Sequence, residues 1–193
     1  ISIIDQPREV IGLVLKTLGY SYNEENPASI PELKTALKAL HQHVKFYSST
    51  TYLQPLILED AWVAVGWSTD LVPVAQQYPN IETLVPRSGT ALWADLWVKP
   101  SVSRSDRVSQ SVIDNWIDFC WQEQTARQIS RFTTATSPIL LSLDRATLAA
   151  IAQKNPLALP EAETIDRSEF ILPLSPESQQ QYKALWKEIR AIN

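Results

Sequence analysis

The stretch that decides the fold class is Ala61-Trp62-Val63-Ala64-Val65-Gly66-Trp67, because it is almost continuously apolar. Such a run is typical of a central strand that is buried on both faces of a parallel sheet. Ser68-Thr69-Asp70 follows directly, and these residue types begin a helix that we predict to continue to about Gln77. A buried strand that leads at once into a helix favours an α/β fold.

Strand and helix patterns alternate on both sides of this run. Ile1-Ser2-Ile3-Ile4 resembles the end of a buried strand, and Asp5 or Gln6 is predicted to cap a helix from Pro7 to Gly19. Ser29-Ile30-Pro31-Glu32 has the spacing of a capping box and predicts a second helix. Further predicted strands are 44–47, 81–86 and 91–98, and further predicted helices are 53–59, 104–131, 144–154 and one that begins at Pro176 after Ser175.

The predicted strand 91–98 has two unlike faces. Its core-facing side would consist of Leu92, Ala94, Leu96 and Val98. Trp93, Asp95 and Trp97 alternate on the other side, and a carboxylate between two indoles suits an organic cation. On the pattern alone the alternatives stay open, namely that the tryptophans belong to the core and that Asp95 pairs with an arginine.

Composition excludes several classes of function. The 193 residues include 17 Lys and Arg and 21 Asp and Glu, which gives a net charge of −4 and argues against a nucleic-acid partner. No apolar run approaches the roughly 20 residues that span a bilayer. With four glycines and no GxGxxG, GxxxxGKS or GxxxxGKT sequence, the usual phosphate cradle is absent and no cofactor is predicted.

The cysteine and histidines predict neither a metal site nor catalysis. Cys120 is alone, so an internal disulfide and a CxxC site are impossible, and we expect it to be a buried apolar residue. His41 and His43 lie two residues apart and therefore point to different faces of a helix. The sequence also lacks GxSxG and HExxH, so it does not predict an enzyme.

Four segments, in order along the chain, resemble the periplasmic polyamine-binding proteins of the spermidine/putrescine type that serve ABC transporters. They are Asp5–Ile11 together with Leu18–Ser21, Val65–Ser68, Leu92–Leu96, and Pro160–Ile165. The resemblance implies an α/β chain that is the second lobe of a type II periplasmic-binding-protein fold with a partial return segment of the first lobe. Residues 1–93 and 158–193 would form the second lobe, and 94–157 would return to the first lobe and hinge. The chain begins without methionine or an export signal, so we expect it to be part of a longer protein that acts outside the cytoplasm.

The same resemblance assigns the ligand contacts. Glu9 and Asp95 would hold ammonium groups of a polyamine or related amine, Trp67 and Trp93 would stack on its methylene chain, and Ser48 would supply a hydrogen bond. This chemistry suits a flexible apolar chain that carries several positive charges. The implied partner is the permease of an ABC transporter, and the resemblance implies neither a metal nor a reaction.

Two departures and two alternatives accompany this assignment. Gln6 stands where many members of the family have a second acid, and Ile171 stands where a polar contact is usual, so the exact ligand stays open. As one alternative, the isolated lobe is an interaction or structural module that self-associates through the helices after Pro100, or binds a different small solute. As the other, Glu9 only completes the helix cap and Trp67 belongs to the core.

Overall fold

The computed structural model describes residues 1–99, 109–144, 146–147 and 162–192. Its strands are β1 (Ser2–Ile3), β2 (Phe46–Tyr47), β3 (Ala64–Val65), β4 (Ala91–Leu92) and β5 (Glu169–Phe170). Its α-helices are α1 (Pro7–Thr17), α2 (Pro31–His41), α3 (Gln54–Ile57), α4 (Ser68–Gln77), α5 (Gln110–Trp121), α6 (Glu123–Thr133), α7 (Ala162–Arg167) and α8 (Pro176–Arg190). Short 3-10 helices cover Pro27–Ser29 and Pro138–Ser142.

The chain divides into two compact units. The first contains Ile1–Trp67, Leu84–Trp93 and Glu161–Asn193, and the second contains Ser68–Thr83 and Ala94–Pro160. Residues 68–83 group with the second unit, whereas the sequence-based division assigned them to the same lobe as residues 1–67. That division, which concerns the lobes of a complete family fold, stays a prediction.

The first unit is built on a parallel three-stranded sheet of order β2-β1-β3. The centre is β1, and Ser2, Ile3 and Ile4 are buried there. The prediction of a central strand over residues 61–67 is wrong, because only Ala64 and Val65 pair and β1 is the one neighbour of β3 among the described residues. Trp62 precedes the paired residues in the sequence, and it is 95% exposed. Continuous apolarity therefore predicted the parallel sheet correctly but not the position of the strand within it.

Helices α1, α2 and α8 pack together over the core of this unit. The residues of α1 that are buried most deeply are Val10, Ile11 and Leu15. The predicted stripe of α1 was Val10, Leu13, Val14 and Leu18, and its last three members are only partly buried. On α8, the helical spacing predicts an apolar stripe of Tyr182, Leu185, Trp186 and Ile189; Leu185 is partly buried and the other three are buried as expected.

Helix caps were predicted with mixed success. Ser175 caps α8 as expected, since its side chain accepts a hydrogen bond from the Ser178 backbone N–H at 3.1 Å. Gln6 and Ile30 hold the cap positions of α1 and α2, but neither makes a side-chain capping bond, so the predicted caps there are wrong. The Ser29 hydroxyl donates to the Asn26 carbonyl instead. Proline at the first position of both helices removes one unpaired N–H group and lowers the need for a cap.

A second, two-stranded parallel sheet pairs β4 with β5 in the same unit. The predicted strand 91–98 is therefore mostly wrong, because the ladder ends at Leu92. The expected core residues Ala94, Leu96 and Val98 are exposed. The predicted strand 81–86 is also absent from the structure. The composition of Arg87-Ser88-Gly89-Thr90 predicts a turn before β4, and this turn forms with Gly89 at φ +87°.

One ion pair ties the second sheet to α1. The Lys16 ammonium lies 2.8 Å from the Glu169 carboxylate, which also accepts hydrogen bonds from the Ser21 hydroxyl and the Tyr22 backbone N–H at 2.5 and 3.0 Å. Burial raises the pKa of Glu169, but these three bonds and the charge of Lys16 outweigh it and hold the pKa at about 2. The ionised form is therefore favoured by folding.

We expect Glu169→Gln to lower the free energy of unfolding by about 2 kcal/mol near neutral pH. Because folding lowers this pKa, its contribution is complete above about pH 4.5 and is lost as the pH falls toward 2. Urea unfolding at several pH values measures the difference from the native protein, which should shrink on acidification. Glu163→Gln is the control, since its pair with Arg167 is exposed and should change stability by less than about 0.5 kcal/mol. A difference that stays constant with pH would contradict the assignment.

In the second unit the helical prediction is largely confirmed. The predicted helix 104–131 is present as α5 and α6, separated at Gln122, whose backbone is extended. Cys120 is buried as expected, but the predicted stripe residues Val112, Trp116 and Phe119 are exposed. Residues 104–108 and most of the predicted helix 144–154 lie outside the described ranges. Across those ranges, each helix is too short or too polar to cross a lipid bilayer.

Candidate functional site

The candidate site lies where the three parallel strands of the first unit end. Ligands of α/β folds bind at the carboxyl edge of such a sheet, because the loops that follow the strands converge there. The loop after β1 leads into α1, and the loop after β2 begins at Ser48. The Gln6 side-chain amide donates to the Ser49 hydroxyl, and this hydroxyl donates to the Asp5 carbonyl, both at 3.2 Å. These bonds hold the first two loops together.

Glu9 is a buried acid at this edge of the sheet. It lies in the first turn of α1 and is only 7% exposed. Burial raises the pKa of Glu9, whereas a backbone hydrogen bond, the charge of Arg8 and a hydrogen bond from the Trp67 indole act to lower it. Within the described ranges Glu9 has no ion pair shorter than 4.0 Å. Among the described residues, the site thus holds a buried carboxylate without an ion-pair partner.

The neighbouring Arg8 is held away from Glu9 by other contacts. Its guanidinium donates to the Tyr22 carbonyl at 2.9 Å and to the Asn23 side chain at 2.7 Å, and it stacks 5.1 Å from the centre of the Tyr182 ring. Arg8 therefore serves as a structural link between α1, the following loop and α8. Arg8 therefore makes no ion pair with Glu9, although its charge still acts to lower the pKa of this acid.

Trp67 is positioned by Tyr52, which the sequence analysis did not identify. The Trp67 backbone N–H donates to the Tyr52 hydroxyl at 3.2 Å, and the two rings are nearly perpendicular with centroids 6.2 Å apart. Gly66 makes this contact possible, since a Cβ atom there would overlap the Tyr52 ring. A glycine inside an apolar strand is a signal for such a close approach.

We expect Gly66→Ala to destabilise the fold by about 1–3 kcal/mol, because the added methyl group must displace the Tyr52 ring. Chemical unfolding measures the loss, and tryptophan fluorescence reports the displacement of Trp67. In the double variant Gly66→Ala/Tyr52→Leu, the smaller side chain should return part of the lost stability. Additive effects of the two substitutions would show that the overlap is not the cause.

Ser48 and Trp93 lie at the same end of the unit as Glu9. The Ser48 hydroxyl accepts the backbone N–H groups of Thr50 and Thr51 at 3.2 and 3.0 Å, so it shapes the loop after β2. Trp93 follows β4 directly and is 56% exposed.

The direction of the second sheet places Trp93 at that end. Strand β5 begins at Glu169, beside Lys16 in the last turn of α1, and the chain then reaches Leu172, whose carbonyl accepts from Arg8 in the first turn. Because β4 runs parallel to β5, it also ends near the beginning of α1.

The remaining predicted residues differ from this group. Asp95 is exposed and belongs to the second unit, so its role as a second acid stays a prediction. Ile171 donates its backbone N–H to the Leu92 carbonyl at 3.1 Å and is therefore a strand neighbour of Trp93. Of the five predicted contacts, Glu9 and Trp67 interact directly, and Ser48 and Trp93 lie at the same end. The described residues contain no cluster of three His, Cys, Asp or Glu that suits a metal ion.

Comparisons with known proteins identify the family and the fold of this chain. The sequence profile of the bacterial extracellular solute-binding protein family matches residues 1–167. A putrescine/cadaverine-binding protein of Pseudomonas aeruginosa is 26% identical over 98% of this chain and 54% of its own length. The spermidine/putrescine-binding periplasmic protein of Escherichia coli K12 is 24% identical over 87% of this chain and 47% of its own length. The chain thus spans about half the length of these relatives.

Solved structures confirm the fold. The chain superimposes on a spermidine/putrescine ABC transporter substrate-binding protein from Streptococcus pneumoniae with a TM-score of 0.76 and 23% identity, over 98% of this chain and 57% of that one. A putative spermidine/putrescine ABC transporter protein from Listeria monocytogenes gives a TM-score of 0.72. The predicted type II periplasmic-binding-protein fold and the predicted resemblance are both confirmed. With a profile match over most of its residues, the chain belongs to the bacterial extracellular solute-binding protein family.

Proposed function

We propose that the protein containing this chain binds a linear aliphatic diamine or polyamine outside the cytoplasm and delivers it to an ABC permease. The observation that carries the proposal is the buried Glu9 carboxylate, which has no ion-pair partner among the described residues and whose pKa Trp67 acts to lower. An organic ammonium group supplies the missing charge. The names of the relatives, which refer to putrescine, cadaverine and spermidine, support this ligand class.

The side chains at this edge suit such a ligand. Trp67 acts to lower the pKa of the Glu9 carboxylate, so its indole lies close enough to this acid for both groups to contact one ammonium group. The half-exposed indole of Trp93 offers a flat apolar surface for methylene groups, and its ring also attracts a cation. In this proposal Ser48 adds a polar contact and Asp95 a second carboxylate.

We infer a preference for a short diamine over a longer polyamine. Gln6 is uncharged, so it adds no negative charge to the site. Its side-chain amide already donates a hydrogen bond to the Ser49 hydroxyl. Ile171, which lies beside Trp93 across the β4–β5 pair, contributes only apolar surface. Fewer acids neutralise fewer ammonium groups, which favours putrescine or cadaverine over spermidine.

The proposed role is binding without chemistry. The relatives are transport proteins that bind solutes, and the groups that we propose as ligand contacts are carboxylates, indoles and one hydroxyl. Membership of a solute-binding family favours this role over the alternative of an isolated interaction or structural module.

Calorimetric titration of the full-length protein with putrescine, cadaverine and spermidine tests the proposal. The diamines should bind, and at about one hundred times Kd they should raise the free energy of unfolding by about 2.7 kcal/mol. The neutral control is 1,4-butanediol, which matches putrescine in length but has no charge to satisfy Glu9. The absence of binding by all three amines, or equal binding of the diol, would contradict the proposal.

A further inference from the structure

A surface groove of about 440 Å³ lies on the first unit, beside the start of α1. One wall consists of Asp5 and Pro7, and the other is a face of α8 that carries Lys183, Lys187 and Arg190. The Trp186 indole lies between these walls and donates its N–H to the Asp5 carboxylate at 2.9 Å. The groove therefore combines an apolar floor with a row of cations.

The cations are regularly spaced along the helix. Lys183, Lys187 and Arg190 stand at positions i, i+4 and i+7. Along the helix axis, Lys187 therefore lies about 6 Å and Arg190 about 10 Å from Lys183. The guanidinium of Arg190 already has two partners, because it stacks 3.8 Å from the centre of the Tyr47 ring and lies 3.5 Å from the Asp5 carboxylate. The ammonium groups of the two lysines make no ion pair or hydrogen bond with any described residue. The carboxylate of Glu188, also on α8, pairs with Lys34 and does not neutralise them.

We propose that this groove docks an acidic amphipathic helix of the membrane permease. The inference rests on the proposed function for the identity of the partner, but its charge and shape come from the groove itself. A partner helix with acids four residues apart matches the two lysines, and an apolar side chain between those acids packs on Trp186. A single small anion is too short to contact both ends of a row about 10 Å long.

The charge distribution favours a protein over an anionic membrane. The chain carries a net charge of −4, which opposes long-range attraction to a negative lipid surface. Asp5 also places a carboxylate inside the groove, where a phosphate head group would be repelled. An amphipathic helix can place an apolar residue opposite this acid.

The groove borders the chain that leads to the ligand carboxylate. Asp5 and Pro7 connect β1 to α1, and Glu9 follows in the first turn of α1. A docked segment would contact this connection directly. The permease would therefore engage the binding protein immediately beside the site that holds the amine.

The test uses a fluorescent helical peptide of about 16 residues, with glutamate at every fourth position and leucine between. Fluorescence anisotropy should show binding to the full-length protein that weakens at least tenfold when salt is raised from about 50 to about 500 mM. Lys183→Glu/Lys187→Glu should weaken binding at least tenfold. The control Lys38→Glu/Lys45→Glu, which makes the same change of charge elsewhere on this unit, should leave it within twofold.

Four further results separate the possible explanations. Equal peptide binding by both double variants would overturn the groove, as would binding to phosphatidylserine vesicles without binding to the peptide. Unchanged putrescine affinity in Lys183→Glu/Lys187→Glu is expected, since these lysines lie outside the amine site. If putrescine fails to bind the native protein while the peptide result holds, the proposed function fails, whereas the proposal that the groove docks an acidic helix stands.

Discussion

Replacement of Glu9 by glutamine should weaken diamine binding strongly and, at the same time, stabilise the unliganded protein. The two effects share one cause, which is the burial of a carboxylate without a cationic partner among the described residues. Glutamine keeps an oxygen that accepts the Trp67 indole N–H but carries no charge. The unliganded protein then no longer buries an ionised group, and the liganded protein loses its main contact to the ammonium group.

The expected loss of affinity is about 2–5 kcal/mol, or roughly 30-fold to several thousand-fold in Kd. It should be measured by calorimetry with putrescine on the full-length protein. Glu177→Gln is the matched control, because this acid also lies in the first turn of a helix that begins with proline, but it is exposed. The control should change Kd by less than about twofold.

The pH dependence distinguishes this explanation from simple damage to the fold. Folding raises the pKa of Glu9, so the protonated form is favoured in the folded state. The stability of the unliganded native protein should therefore fall as the pH rises through the raised pKa, and Glu9→Gln should remove this fall. Diamine affinity should change in the opposite direction and decrease on acidification, because binding requires the carboxylate. Lower stability of Glu9→Gln at neutral pH would contradict the assignment.

Sequence patterns predicted the elements of this fold better than their pairing. The α8 helix begins where Ser175 and Pro176 indicate, because a cap and a first-turn proline act locally. The position of the run 61–67 within the sheet was predicted wrongly, because an apolar sequence does not distinguish a central strand from an edge strand of a parallel sheet. The order β2-β1-β3 depends on which strand β1 pairs with, and this information is not contained in any single segment.

The candidate site also depends on contacts between segments that are far apart in the sequence. The resemblance supplied Glu9 and Trp67, and the structure adds the burial that raises the pKa of Glu9 and the nearby Trp67 that acts to lower it. Tyr52 was missed because its role depends on a contact across fifteen residues, for which Gly66 was the available signal. The predicted strand 91–98 failed because alternation of residue types cannot reveal that the ladder with β5 ends at Leu92.

Replacement of Trp67 by leucine should weaken diamine binding by about tenfold to one hundredfold, or about 1.4–2.8 kcal/mol. Two losses contribute. The ligand loses the attraction between the indole and its ammonium group, which is worth about 0.5–2 kcal/mol. Glu9 loses the indole hydrogen bond, which acts to lower its pKa, so the pKa should rise further and leave less carboxylate at a given pH.

The affinity should therefore be measured at two pH values, with a control substitution at a second tryptophan. In Trp67→Leu the affinity for putrescine should recover partly when the pH is raised, because this ionises Glu9 again. Trp62→Leu is the matched control, since this indole is 95% exposed and lies before β3 rather than after it. Its Kd should stay within about twofold of the native value. If both variants lost affinity equally, or if Trp67→Leu lost it equally at every pH, the indole would not act through the Glu9 carboxylate.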